Sequence, residues 1–149
     1  MSMTAFSTAI ESAQPDDLHR IEACMCAAYA PWRDSIPGLP DVTSGLSDDL
    51  AQHTVLVVRQ NEDVAGVAVL SLAGPTAILK NLAVDPGAQG GGLGKKLVEA
   101  CLAVAREAGH ARLHLSTHAE MHRTQLFYAL LGFAEIKRDG HRVVMSKTL

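Results

Sequence analysis

The residues Gln89-Gly90-Gly91-Gly92-Leu93-Gly94 carry the clearest chemical signal in the chain. Glycines let main-chain N–H groups turn outward and let a ligand approach the backbone closely. An amphipathic stretch follows, and a helix N-terminus contributes partial positive charge, so this turn suits phosphate oxygens. Spacing excludes two common phosphate loops. A Walker loop needs Gly, four residues, then Gly-Lys-Ser/Thr; here Gly94-Lys95 is followed by Lys96, and Gln89 stands where the first glycine belongs. A dinucleotide fingerprint needs Gly-x-Gly-x-x-Gly; Gly90-x-Gly92 meets Lys95 at the last glycine position, and Gly91 is followed two places on by Leu93. A phosphate cradle of another kind and a ligand-free strand-to-helix turn both remain open on these residues alone.

Two other sets of residues could do chemistry. His110, His114, His118 and His122 recur every fourth position, which on a helix would make a metal-binding face. However, Leu113 and Leu115 alternate with Arg112, His114 and Ser116, so the segment reads as a strand on which only His114 and His118 share a face. Cys24, Cys26 and Cys101 are an odd set without metal-ligand spacing, and they read as free thiols of a reducing cytoplasm.

The elements that position these residues follow from periodicity and punctuation. Ala5–Ile10 is a candidate first strand. Pro15-Asp16-Asp17 opens a helix whose apolar face is Leu18, Ile21, Met25 and Ala28, and which is expected to stop at Tyr29-Ala30-Pro31. The proline-rich stretch from Pro31 to Pro40 reads as loop, and Asp41 to His53 as partly helical; this connection holds Trp32, the only tryptophan. Strands are expected over Thr54–Gln60, Val64–Leu72 and Ala77–Val84. A helix then runs from about Gly92, with Leu93, Leu97, Cys101, Val104 and Ala108 inward and Gly109 as its cap. Ala111–Thr117 is a strand, Met121–Leu131 a helix, and Phe133–Arg138 and His141–Thr148 strands joined at Asp139-Gly140. This order predicts an α/β fold with helices on the faces of the sheet.

Gln89, Gly92 and Gly94 also fit the pattern Gln/Arg-x-x-Gly-x-Gly/Ala. With the preceding Asn-Leu-Ala-Val-Asp-Pro, the turn resembles the coenzyme A pyrophosphate loop of the GNAT N-acetyltransferase superfamily. Tyr128-Ala-Leu-Leu-Gly132-Phe133 resembles that superfamily's Tyr-x-x-x-Gly-Phe, and the element order agrees. The resemblance covers Thr54 to the C-terminus; residues 1–53 match only in their pattern of elements and form the variable, substrate-side portion of a single domain spanning 1–149. It implies a mixed, mostly antiparallel central sheet flanked by helices, with residues 77–109 as the coenzyme-binding strand, loop and helix. It further implies direct transfer of an acetyl group from acetyl-CoA, a cosubstrate, to a primary amine of a small molecule or protein. Gln89, Gly90, Gly91, Gly92, Gly94 and Lys95 would hold the pyrophosphate. Leu82, Ala83 and Val84 would pair with the pantetheine arm as an added strand, and an N–H near Leu82 would stabilise the oxyanion.

Tyr128 is the resemblance's general acid, since a phenol near pKa 10 can protonate a departing thiolate of pKa about 8.5; the plainer reading is a core tyrosine beside Phe127 and Leu131. The general base is not evident. Some relatives place a Glu on the fifth strand, twelve residues before the Tyr, where this chain has Ser116, and others a carboxylate on the fourth, where it has Lys80 and Asn81. That leaves a water chain, His118 or Glu120. Asn81, Ser116 and Trp32 are candidate substrate contacts, and the acids from Asp41 to Asp49 favour a cationic acceptor. A missing base also motivates a second reading, a catalytically inactive coenzyme A-binding regulatory module.

Composition sets the outer bounds. At 149 residues and 48% hydrophobic, the chain is long enough and apolar enough for one globular core. A net charge of −3 without a basic cluster argues against nucleic-acid and membrane partners. The start of the chain lacks the basic-then-apolar pattern of a signal peptide, so a cytoplasmic location is expected. The resemblance also brings a homodimer into consideration.

Overall fold

The computed structural model describes residues 9–39 and 41–149. Its strands are β1 (Ile10–Ser12), β2 (Thr54–Gln60), β3 (Asp63–Ser71), β4 (Ala77–Val84), β5 (Arg112–His118), β6 (Ala134–Asp139) and β7 (Arg142–Thr148). Its helices are α1 (Leu18–Ser35), α2 (Leu46–Gln52), α3 (Leu93–Glu107) and α4 (His122–Leu130). The strands form one sheet in the order β1-β2-β3-β4-β5-β7-β6. Neighbours are antiparallel except β4 and β5. This is the mixed, mostly antiparallel sheet with flanking helices that the family resemblance implies. Among the described residues, no helix is long and apolar enough to cross a membrane.

The sheet separates two apolar layers. Val57, Val67, Val69 and Ala83 pack with Ile21, Cys24 and Met25 of α1 and Leu46 of α2. The alternate residues Leu56, Ala68, Leu70 and Leu79 pack with Leu93, Leu97, Val98 and Cys101 of α3, together with Tyr128 and Phe133. Covered on both faces, β3 is an almost unbroken apolar run, as a central strand must be. The buried stripe of α3 is wider than expected: Val98, Leu102 and Ala105 join it, and Ala108 is exposed. The expected row follows only one ridge, whereas a helix lying on a sheet buries a broader face.

Most strand limits shift by a residue or so from expectation, and two boundaries differ in kind. Most of the strand expected over Ala5–Ile10 lies outside the described residues. Helix α1 does not stop at Tyr29 but passes through Pro31 to Ser35, so Trp32 sits on the helix rather than in a loop. Proline removes the N–H that would reach the Ala27 carbonyl. Nearby, the Arg33 guanidinium donates to the Cys26 carbonyl at 3.0 Å, and the Ile36 N–H to the Trp32 carbonyl at 2.8 Å. The last hairpin turns on Gly140 and His141, because Asp139 is already paired with Arg142.

A buried ion pair fastens the start of α1 to the sheet. Both guanidinium NH2 groups of Arg59 donate to the Asp17 carboxylate at 2.8 Å, the Gln14 N–H donates to the same carboxylate at 2.8 Å, and Arg59 Nε pairs with Glu11. Asp17 is only 4% exposed. Removing one partner from such a pair strands a buried charge, so Arg59→Ala should cost about 3 kcal/mol and lower Tm by roughly 6 to 12 °C in a scanning calorimeter. The Arg59 hydrogen bonds hold the Asp17 carboxyl below its ordinary value of 3.8. Its stabilisation is therefore complete above about pH 4 and disappears as pH falls through the lowered value. Arg59→Ala and the parent should converge in stability at the acid end.

Candidate active site

The sheet opens where β4 and β5 part. Ala77, Ile78 and Leu79 pair with Leu113, His114 and Leu115, and no pairing follows. On the other side of β4, Leu79 partners Leu70 while Asn81 partners Val69, so Lys80 is an inserted residue. Such a bulge bends the strand and adds twist. Beyond it, Asn81 to Val84 pair with β3 alone, which leaves one backbone edge facing a cleft of about 830 Å³. That size is in the range of small-molecule sites.

The glycine turn closes one end of the cleft. Asp85 accepts the Gly87 N–H at 2.9 Å and starts a short 3-10 turn at Pro86–Ala88. Gly90 and Gly92 are left-handed, with φ of 91° and 78°, and Gly92 caps α3. The free N–H groups of the first turn of α3 therefore lie beside left-handed glycines, a geometry that receives anions. Gln89, Gly90, Gly92, Gly94 and Lys95 line the cleft, as do Leu82, Ala83 and Val84; Gly91 does not. The Gln89 side chain is otherwise engaged, donating to the Val84 carbonyl at 3.1 Å. Gly94 also has a packing reason to lack a side chain: a Cβ there would stand 3.3 Å from the ring of Phe127 on α4.

Tyr128 lies in the cleft wall, 6% exposed, with its ring edge-on to Phe127 and Phe133. Its hydroxyl has no hydrogen-bond partner among the described residues. Burial, with the Tyr29 phenol and the Cys101 thiol nearby, pushes its pKa well up, so the group keeps its proton. Across the cleft, Tyr29 donates to Asn81 Oδ1 at 3.3 Å, and Asn81 Nδ2 donates to the Val42 carbonyl at 3.2 Å. Trp32 lines the same wall. Burial pushes the Cys24 and Cys101 thiols up to about 12, and neither lines the cleft, so neither is poised as a nucleophile.

The two base candidates fare differently. Glu120 is exposed and does not line the cleft. His118 does, but its Nδ1 accepts the Glu120 N–H at 3.1 Å. With Nδ1 accepting that bond, a neutral ring carries its proton on Nε2, which is then a donor. The His118 ring stacks on His141, 4.9 Å between centroids. Ser116 lines the cleft and accepts from Arg142 Nε at 3.1 Å. The histidine row is not a helical face: His114 and His118 belong to β5, and His122 begins α4.

Among the described residues, no Asp or Glu lines the cleft. The acids expected to attract a cationic acceptor are occupied or turned away. Asp41 accepts from Thr43 N and Oγ1 at 2.9 and 2.8 Å, and Asp49 pairs with Lys80 at 2.6 Å. Sequence reasoning passed over Tyr29, His141 and Arg142. Tyr29 had a signal, four residues after Met25 on the same helical face. His141 and Arg142 had none, because their place depends on β7 pairing with β5.

Solved structures of the same architecture include N-acetyltransferases. PaiA N-acetyltransferase from Thermoplasma acidophilum, in complex with coenzyme A, superposes with a TM-score of 0.86 at 17% identity, covering 95% of this chain and 98% of that one. The ribosomal-protein-S18-alanine N-acetyltransferase from Escherichia coli gives 0.77 at 24% identity, covering 94% and 92%. A GCN5-related N-acetyltransferase from Rhodopseudomonas palustris gives 0.75 at 20%, covering 99% and 100%. None of the curated proteins matches the sequence. The model of the acetyltransferase (GNAT) family matches residues 15–133. The chain belongs to that family.

Proposed function

We propose that the protein transfers an acetyl group from acetyl-CoA directly to a primary amine. The observation that carries this is the backbone edge of Asn81–Val84, which no strand covers and which runs straight into the glycine turn at α3. An extended pantetheine arm can add there as a strand, with its pyrophosphate on the N–H groups around Gly90, Gly92 and Gly94 and the Lys95 ammonium beside it. The thioester carbonyl then lies near Leu82, whose N–H stabilises the tetrahedral oxyanion. The amine nitrogen attacks that carbonyl and the C–S bond breaks. Tyr128 gives its proton to the departing thiolate and is restored by the proton released from nitrogen. No carboxylate reaches the cleft, so the ammonium form of the acceptor loses its first proton to water. Buried, high-pKa cysteines support transfer without an acyl-enzyme.

The experiment is thermal unfolding with acetyl-CoA, CoA, NAD and ATP in parallel. A ligand at about 100 times its Kd adds roughly 2.7 kcal/mol, or about 5 to 10 °C here. A shift confined to acetyl-CoA and CoA is expected; a larger shift with NAD or ATP refutes the reading. The absence of an acid from the cleft favours one rival, a coenzyme A-binding regulatory module without catalysis. Thiol release in an amine panel separates the two, since the module binds CoA and releases none.

A further inference from the structure

We propose that the acceptor amine carries a carboxylate, which Arg142 holds on the face of the cleft opposite α3. The inference rests on the acetyltransferase reading and specifies its substrate class.

The sheet itself divides the cleft. Leu113 and Leu115 of β5 and Val143 and Met145 of β7 pack into the α3-side layer. Strand alternation sends the intervening Ser116, His118 and Arg142 to the other face, where the register sets His118 directly across from Arg142. The glycine turn and Tyr128 belong to the α3 side. An acyl group delivered from that side must meet its amine from the face that carries Arg142.

Three side chains of this wall, Arg142, Ser116 and His118, present donors. Arg142 spends one N–H on Ser116 Oγ and has no carboxylate partner among the described residues. Having accepted that bond, the Ser116 hydroxyl keeps its own proton to donate. His118 Nδ1 is taken by the Glu120 N–H, so Nε2–H also donates. The other cations of the cleft have different positions: Lys80 is tied to Asp49, Lys95 belongs to the first turn of α3, and Arg123 to that of α4. A guanidinium fork beside two further donors, with no acid in the cleft to neutralise it, matches a planar carboxylate. It disfavours a polycation.

The test compares matched acceptors: the protein amino acids and ω-amino acids of two to six carbons, each against its amide. The parent protein should favour at least one acid over its amide by 10-fold or more in kcat/KM. Arg142→Gln should collapse that preference about 10- to 100-fold, mainly through KM for the acid, and Arg142→Lys should restore it only in part. Arg112→Gln, at the far end of β5 and outside the cleft, should leave it intact. As a readout independent of turnover, calorimetry of the CoA-saturated protein should detect binding of the N-acetylated acid, lost in Arg142→Gln. A parent that acetylates only amides or simple amines, or an Arg142→Gln variant with the parent's preference, overturns the inference and leaves the acetyltransferase standing. A CoA-bound protein that acetylates no amine and binds no acetylated acid overturns both.

Discussion

Tyr128→Phe should slow acetyl transfer about 100-fold while leaving the stability of the protein nearly unchanged. Both outcomes come from one structural fact: the hydroxyl has no hydrogen-bond partner among the described residues and borders the cleft rather than being sealed in the core. Its removal breaks no internal hydrogen bond and relieves no buried unsatisfied group, so Tm should move by no more than about 2 °C. A positioned general acid contributes about 10²- to 10⁴-fold, and the low end applies because a thiolate is already a fair leaving group. The raised phenol pKa keeps Tyr128 protonated throughout the working pH range, so the loss should not depend on pH between about 6 and 9. The affinity for acetyl-CoA should stay within a factor of two, since the ring and its contacts with Phe127 and Phe133 remain. A core tyrosine without a catalytic task would give equal rates, and that result would remove Tyr128 from the mechanism.

The strand limits were legible where the chain punctuates itself. β2 and β4 run over the expected residues because Asn61-Glu62, Gly74-Pro75 and Asp85-Pro86 stop alternating or apolar runs. The end of α1 was not, because a local rule about Pro31 competed with the apolar row Met25, Ala28 and Trp32, and the helix runs on through Trp32 to Ser35. Proline costs one helical hydrogen bond; ending at Tyr29 would have removed Trp32 from a helix that packs on β3 and β4.

The site divides along the same line. The glycine turn is local, so spacing alone pointed to it and rejected two rival loops. The acceptor wall is non-local. β7 inserts between β5 and β6, and only that register brings Arg142 to His118. No periodicity in either segment encodes the pairing. The surroundings of the acids from Asp41 to Asp49 were hidden for a related reason: the bulge at Lys80 supplies a partner for Asp49 that sequence distance conceals. So was the hydrogen bond that a backbone N–H makes to His118 Nδ1, a detail of one turn after β5.

Gly92→Ala should weaken acetyl-CoA binding roughly 30- to 150-fold, corresponding to about 2 to 3 kcal/mol of lost hydrogen bonding to a charged group. The chain contains its own control. Gly45 caps α2 with φ of 79°, Gly92 caps α3 with φ of 78°, and a Cβ at either would meet nothing within 4 Å. An alanine at either position therefore pays the same left-handed strain, about 1 to 2 kcal/mol, and both variants should lose a similar few degrees in Tm. The open space differs in kind: at Gly92 it belongs to the cleft, where a methyl group keeps pyrophosphate oxygens from the helix N–H groups. Gly45→Ala should bind acetyl-CoA as the parent does. Equal affinities in the two variants would mean that the turn before α3 is a glycine-rich connection and no phosphate cradle, whatever the stability loss. Equal stability losses with unequal affinities would separate the ligand's demand for glycine from the backbone's.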